Sequence, residues 1–175
     1  MRFGWGKAAA LALVLTAGAC GRGGDPGAEA EKRAAEAEFF LKANARAEGV
    51  TTTSTGLQYK VLVAAPAGAP GPDSNDLVRV HYEGSLTNGD VFDSSFAKGS
   101  PAVFSPQDVV PGWTEALQRM KVGDEWLLYL PPALGYGPEG RPPTIPGNSV
   151  LVFRLKLLDV APTPGGARGV GSANG

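Results

Sequence analysis

Apolar and polar residues alternate with a period of two in two stretches of the middle of the chain. The first stretch runs from Leu57 to Val63 and the second from Val78 to Glu83. A period of two is typical of β-strands that bury one face. Asn88-Gly89 is a strong hairpin signal and connects the second stretch to Val91, Phe92 and Asp93. The pattern therefore predicts an antiparallel sheet.

A helical period replaces this alternation after Pro111. Apolar residues from Trp113 to Met120 recur at helical spacing, and Gly123 ends the segment. Two further strands are predicted at residues 126–130 and 150–160. This order predicts an α+β fold in which a curved antiparallel sheet wraps over one short α-helix.

A long connection rich in glycine and proline joins the last two predicted strands, from Pro131 to Asn148. Connections of this length inside a compact domain are usually functional or disordered. This one carries Tyr136 and Ile145, which makes it a candidate part of a binding site.

An additional helix is predicted near the N-terminus, outside the domain. Asp25-Pro26 offers a helix cap followed by a proline at the first helical position, and residues 28–48 are rich in strong helix formers before Gly49. Phe39 and Phe40 are adjacent, so they form no heptad stripe. Two interpretations stay open, a solvated stalk and a dimer contact through the phenylalanines. The short helix favours a monomer.

The first residues have the order of a signal peptide. Arg2 and Lys7 precede an apolar run from residue 8 to residue 17, which is too short for a permanent membrane span, and small residues then precede Cys20. We therefore predict a signal peptide at 1–19, a spacer with the helix at 20–54, the domain at 55–160 and a disordered tail at 161–175. The tail assignment rests on its low apolar content.

Composition excludes several classes of function. With 16 basic and 17 acidic side chains the net charge is -1, which disfavours a nucleic-acid partner. Cys20 is the only cysteine and His81 the only histidine, so neither an intramolecular disulfide nor a metal site of several cysteines can form. His81 lies inside a predicted strand, which disfavours a serine hydrolase. Neither a cofactor nor a metal ion is expected.

Several short motifs occur in one register between Thr55 and Val160. They are Val80-His81-Tyr82-Glu83-Gly84, Asn88-Gly89, Phe92-Asp93-Ser94-Ser95, Val110-Pro111-Gly112-Trp113, Met120-Lys121-Val122-Gly123, Leu134-Gly135-Tyr136-Gly137 and Ile145-Pro146-Gly147-Asn148-Ser149. With these motifs the chain resembles the FK506-binding-protein type of peptidyl-prolyl cis-trans isomerase, in its bacterial, macrophage-infectivity-potentiator-like lipoprotein form.

The resemblance implies a proline-binding pocket. It implies a catalytic set of Tyr82, Phe92, Asp93, Val110, Trp113, Tyr136 and Phe153, and a substrate-binding set of Phe104, Val109 and Ile145. In the family's arrangement Trp113 lies beneath the prolyl ring, the Tyr136 hydroxyl reaches a substrate carbonyl, and the Val110 main chain helps hold the peptide.

Three positions depart from the family's pattern. Ala102 stands where many members have an aromatic wall, and Arg141 and Thr144 alter the rim. Judged from residue types alone, each pocket residue could instead be core packing, and Asp93 could cap a turn or pair with an arginine.

The implied function is to accelerate rotation about X-Pro bonds and so assist the folding of exported proteins. Expected partners are proline-containing unfolded or exported polypeptides and FK506-like macrolides. Two other classes stay open. A chaperone or adaptor would bind proline segments without turnover. A structural envelope lipoprotein would neither bind such segments nor catalyse their isomerisation.

The residues before Cys20 resemble a bacterial lipoprotein signal, in which the cysteine receives a lipid that anchors the protein to the membrane. Ordinary cleavage after Ala19 is the alternative. Gly21 is not the aspartate that favours inner-membrane retention, so we expect a periplasm-facing lipoprotein of the outer membrane.

Overall fold

A computed structural model describes residues 25–164, which form one antiparallel sheet and two α-helices. The sheet order is β1-β2-β6-β7-β3-β4, and β5 also pairs with β3. The strands are β1 (Val50–Thr52), β2 (Gln58–Val63), β3 (Leu77–Leu86), β4 (Val91–Ser94), β5 (Ala102–Phe104), β6 (Glu125–Leu130) and β7 (Leu151–Ala161). The predicted strand pattern and the α+β fold are confirmed.

Helix α2 (Pro111–Arg119) packs against the sheet and closes the core. Its buried face carries Trp113, Ala116 and Leu117, the positions expected from the helical period. Gly112 allows the close approach, because a Cβ atom there would lie 2.5 Å from the Leu130 Cγ. The helix is therefore held directly against β6.

Strand β7 lies in the middle of the sheet, between β6 and β3, although it is the last strand within residues 25–164. The alternation of its residues buries Leu151, Phe153, Leu155 and Leu157 in the core. This central strand brings the two halves of the sheet together.

Helix α1 (Pro26–Asn44) lies outside the sheet but is not a detached stalk. Asp25 caps it as predicted, by accepting a hydrogen bond from the Gly27 amide. The Phe40 ring centroid lies 6.1 Å from that of Tyr129, and Ala37 is buried. The stalk interpretation is therefore wrong, because the helix finds apolar partners on the domain.

The C-terminal end of α1 also differs from the prediction. The helix ends at Asn44 rather than near residue 48, because the chain turns there to enter β1 and Gly49 adopts a positive φ of 76°. Phe39 is 76% exposed, and a dimer contact through it stays a prediction. Neither helix within residues 25–164 combines the length and the apolar character needed to cross a membrane.

The C-terminal boundary lies later than expected. Ala161 is the last residue of β7, and the Thr163 amide donates to the Asp76 Oδ1 at 3.0 Å, so residues 161–164 of the predicted tail belong to the fold. The predicted signal peptide at 1–19, the lipid site at Cys20 and residues 165–175 of the tail lie outside the described residues.

Leu155 and Leu62 offer a matched test of the core. Leu155 is fully buried on β7, whereas Leu62 is 44% exposed on β2. We expect Leu155→Ala to lower the free energy of unfolding by about 2 to 5 kcal/mol, because the deletion leaves a cavity. Leu62→Ala should cost much less, as measured by urea denaturation. Equal losses would contradict the described core.

Candidate functional site

A cavity of about 670 Å³ lies where helix α2, four strands and the long loop after β6 meet. Its volume lies within the range of small-molecule sites. The structure brings all ten predicted pocket residues to its lining: Tyr82, Phe92, Asp93, Phe104, Val109, Val110, Trp113, Tyr136, Ile145 and Phe153.

The Trp113 indole occupies the centre of the aromatic lining. Its ring centroid lies 5.3 Å from Tyr82, 5.2 Å from Phe153 and 5.7 Å from Phe104, with ring planes 80° to 87° apart. Edge-to-face pairs of this kind contribute about 0.5 to 1.5 kcal/mol each beyond area burial. The rings therefore support one another, and the apolar wall is preformed.

Gly84 permits a second ring pair to close the lining. A Cβ atom at Gly84 would lie 2.6 Å from both the Phe92 Cε2 and the Phe153 Cε1. Phe92 and Phe153 meet edge to face, with centroids 5.6 Å apart. Gly84 belongs to one of the sequence motifs, although no role was predicted for it. A glycine inside a strand often marks such a close approach, which was the available signal.

The start of α2 positions the residues on one side of the cavity. Val110 is the N-cap residue, and its carbonyl accepts the Trp113 amide at 2.9 Å. The Thr114 hydroxyl donates to the Pro106 carbonyl at 2.7 Å and ties the preceding loop to the helix. Val109 and Val110 are thereby presented beside Trp113.

The pocket loop, defined as Pro131–Asn148, supplies the opposite side. Arg141 and Ile145 exchange backbone hydrogen bonds of 2.7 and 3.0 Å, so the segment between them forms a tight turn. The Gly140 amide donates to the Tyr136 carbonyl at 3.0 Å. The Arg141 guanidinium carbon lies 6.0 Å from the Tyr136 ring centroid. These contacts keep Tyr136 and the buried Ile145 on the same wall.

An ionised carboxylate lies at the edge of this apolar site. The Tyr82 hydroxyl donates to the Asp93 Oδ2 at 2.6 Å, and the Lys98 Nζ donates to the Asp93 Oδ1 at the same distance. Burial is the largest influence on the pKa of Asp93 and raises it. Hydrogen bonds from Lys98 and Tyr82, with the charge of Lys98, outweigh burial and hold the pKa below its ordinary value.

The pKa of Tyr82 is shifted in the opposite direction to that of Asp93. Burial raises the pKa of Tyr82 to about 12, and the hydrogen bond and negative charge of Asp93 add to this effect. The site therefore holds a neutral phenol beside a carboxylate over the ordinary pH range. Of the two alternatives for Asp93, pairing with a cation is the one observed, although the cation is a lysine.

The sequence interpretation omitted some residues of the site. Asp108 and Pro142 also line the cavity, as do the rim residues Arg141 and Thr144. Lys98 was missed because no local pattern connects it with Asp93. Ala102 pairs with Val80 in the sheet and is not part of the cavity lining.

Comparison with known proteins agrees with this geometry. The family model described as FKBP-type peptidyl-prolyl cis-trans isomerase matches residues 68–158. A second model, described as the domain amino terminal to FKBP-type peptidyl-prolyl isomerase, matches residues 24–61. The two matches together include most of the sheet, both helices and the cavity.

Individual relatives are similar over most of the chain. The peptidyl-prolyl cis-trans isomerase Mip of Coxiella burnetii is 48% identical over 127 residues, which are 73% of this chain and 54% of that protein. The outer membrane protein MIP of Legionella longbeachae is 41% identical over 132 residues, which are 75% of this chain and 56% of that protein.

A solved structure shows the same fold. The crystal structure of FkpA from Escherichia coli matches with a TM-score of 0.74 and 41% identity, over 79% of this chain and 64% of that one. The chain spans about half the length of the two relatives named above. Because the first family model matches more than half of the chain, the protein belongs to the FKBP-type peptidyl-prolyl cis-trans isomerase family.

Proposed function

We propose that the protein is a peptidyl-prolyl cis-trans isomerase that binds X-Pro segments of unfolded polypeptides in the aromatic cavity. The observation that carries this proposal is the lining of one 670 Å³ cavity by six aromatic rings. Family membership and the peptide-binding roles implied by the resemblance support it. FK506-like macrolides are proposed as ligands of the same cavity.

The reaction requires no nucleophile. Rotation about a peptide bond must overcome about 18 to 20 kcal/mol, because resonance is lost at the twisted geometry. No covalent bond forms or breaks, so the protein has only to favour the twisted state over the planar one. A millionfold acceleration corresponds to about 8 kcal/mol of such differential stabilisation.

The cavity offers two ways to achieve this. The planar amide is more charge-separated than the twisted amide, so the apolar walls around Trp113 and Phe153 disfavour the planar state more. Hydrogen bonds from the Tyr136 hydroxyl and with the Val110 main chain would hold the peptide in register. Desolvation, orientation and hydrogen bonding would share the required energy.

The pairing of Asp93 would keep the apolar walls effective. An unpaired carboxylate beside the cavity would retain water and offer a charged acceptor to any amide that entered. With Tyr82 and Lys98 bound to its two oxygens, Asp93 is already satisfied. We therefore propose that Asp93 holds the Tyr82 ring in place rather than transferring a proton.

We further propose that the protein is a monomeric lipoprotein of the bacterial envelope, anchored through Cys20 and facing the periplasm. The order of charged, apolar and small residues before Cys20 supports the anchor. The name of the Legionella relative supports the outer membrane as its location. The division of the chain after residues 19 and 54 stays a prediction, and so does assistance to the folding of exported clients.

Two tryptophans provide a matched test of activity. Trp113 lies in the cavity lining, whereas Trp126 stacks on Tyr59 with centroids 4.4 Å apart, outside that lining. Both are buried, and neither indole nitrogen has a hydrogen-bond partner within residues 25–164. The substitution to phenylalanine therefore removes similar groups at both positions.

We expect the wild type to accelerate isomerisation of a short X-Pro peptide in a protease-coupled assay. Trp113→Phe should lower kcat/KM about tenfold through lost ring contacts, while Trp126→Phe should leave it near the wild-type value. No acceleration at micromolar wild-type protein would refute the proposed activity. Binding of unfolded chains without acceleration would instead identify a chaperone.

The Tyr82 phenol provides a test of the site's electrostatics. Its pKa of about 12 in the folded protein lies above the ordinary value of about 10. The folded state therefore retains the proton longer, and its stability should fall as the pH rises from about 10 to about 12. An absorbance titration that follows phenolate formation should show an ionisation with a pKa of about 12 in the wild type but not in Tyr82→Phe.

Asp93→Asn removes the neighbouring negative charge and should lower the pKa of Tyr82, though not to its ordinary value, because burial remains. An unchanged titration in both variants would contradict the described pair.

Lipid attachment can be tested directly by metabolic labelling with a radioactive fatty acid. The wild type should incorporate the label and fractionate with the outer membrane, because several acyl chains anchor a protein stably. Cys20→Ala should lose both properties. Label-free wild-type protein in the periplasmic fraction would support ordinary cleavage instead.

A further inference from the structure

Helix α1 contacts the pocket loop at two consecutive residues. The Arg33 Nε donates to the Gly147 carbonyl at 3.1 Å, and the Asn148 Nδ2 donates to the Ala30 carbonyl at 3.1 Å. The partners are 114 and 118 positions apart in the chain, and both bonds are partly buried. These two bonds, here called the helix-loop clamp, connect two elements that share no sheet.

The clamp lies close to the pocket residues of the loop. Gly147 follows the buried Ile145 by two positions. The backbone amide of Asn148 donates to the Gly137 carbonyl at 2.9 Å, and Gly137 follows Tyr136 directly. A displacement of Gly147 and Asn148 would therefore move Ile145 through the chain, and it would move Tyr136 through the hydrogen bond to Gly137.

The loop is packed tightly enough to transmit such a displacement. A Cβ atom at Gly147 would lie 1.9 Å from the Pro138 carbonyl oxygen, so the middle of the loop and its C-terminal end are in direct contact. Asn148 adopts a positive φ of 60°, which few residue types other than glycine tolerate. The loop therefore has little freedom to rearrange internally and responds as one unit.

Helix α1 is itself fixed to the sheet at its other end. The Asn44 Nδ2 donates to the Gln58 Oε1 and the Gln58 Nε2 donates to the Leu41 carbonyl, each at 2.9 Å. Phe40 packs on Tyr129 of β6. Along the helix, the Glu29 carboxylate lies 3.8 Å from the Arg33 guanidinium. The helix therefore offers the loop a fixed reference.

We propose that the helix-loop clamp sets the position of the pocket loop, and that Arg33 and Asn148 are positioning residues for the isomerase site. The inference rests on the proposed function and deepens it. Neither residue lines the cavity, so both act through the backbone of the loop on Tyr136 and Ile145. The N-terminal helix thereby tunes the affinity of the site for its peptide.

The effect should be on KM rather than on kcat. When the clamp is lost, the loop samples positions in which the cavity is incomplete, and apparent affinity falls with the population of the competent state. A bound peptide restores that position, so kcat is preserved. For the loss of one or two partly buried hydrogen bonds we expect KM to rise about 3- to 10-fold.

The experiment uses the full chain with Arg33→Ala, Asn148→Gly and the double variant. Asn148→Gly removes the side-chain amide that binds Ala30 but keeps the positive φ accessible. Lys32→Ala is the matched control, because Lys32 precedes Arg33 on the same helix and, among residues 25–164, forms an ion pair with the exposed Glu36 alone, at 4.0 Å. Arg33→Lys keeps a donor and should recover part of the affinity.

The expected result is a raised KM with unchanged kcat in the clamp variants, wild-type constants in Lys32→Ala, and less than additive effects in the double variant. A lowered kcat at constant KM together with a lowered melting temperature would indicate a merely structural role and overturn the proposal. Wild-type constants in Arg33→Ala would also overturn it.

A second readout does not depend on activity. The backbone amides of Ile145 and Asn148 are hydrogen-bonded within the pocket loop, so their hydrogen exchange reports the opening of the loop. Exchange should be faster in the clamp variants than in Lys32→Ala, and equal rates would overturn the proposal. An inactive wild type with faster exchange in Arg33→Ala would refute the isomerase function while leaving the coupling of helix and loop established.

Discussion

The packing of the Trp113 indole against the sheet is the interaction on which the rest of the structure depends. Trp113 reaches Tyr82 on β3, Phe104 on β5 and Phe153 on β7, so one ring joins helix α2 to three strands. The same contacts close the core on one side and form the cavity wall on the other. The core and the cavity wall are therefore built from the same rings, and a change at Trp113 affects both.

The polar groups of the site are arranged so that they leave this apolar surface intact. Asp93 is satisfied by Tyr82 and Lys98, and the charges of Asp108 and Arg141 are on exposed residues of the lining. Charges on exposed residues can select among flanking residues of a peptide without desolvating the centre. Under the proposed isomerase function, the departures at Arg141 and Thr144 would bear on peptide selectivity more than on the bond rotation itself.

Local sequence patterns were sufficient to predict the elements in which apolar residues recur at a regular spacing. The alternation in β2, β3, β6 and β7 and the helical spacing in α2 each bury one face, and that periodicity is visible in the sequence. Strands β1 and β5 have only three residues each, too few for a period to appear. They form because neighbouring strands offer them hydrogen-bonding edges.

The contacts that the sequence did not reveal join residues distant along the chain. Nothing near Lys98 indicates that it will meet Asp93, and nothing in α1 indicates that Arg33 will reach Gly147. Ten residues of the cavity lining could be predicted, and only because the motifs resembled a family. Residue types alone could not distinguish a cavity wall from core packing, because the same rings serve as both.

The central place of β7 has a consequence for the order in which the protein matures. Because β7 is inserted between β6 and β3, the earlier strands cannot form the native sheet until β7 has joined them. Pairings between residues so distant in sequence are also slow to form. The aromatic lining stays incomplete until Phe153 has been added, so folding intermediates that lack β7 also lack the finished cavity.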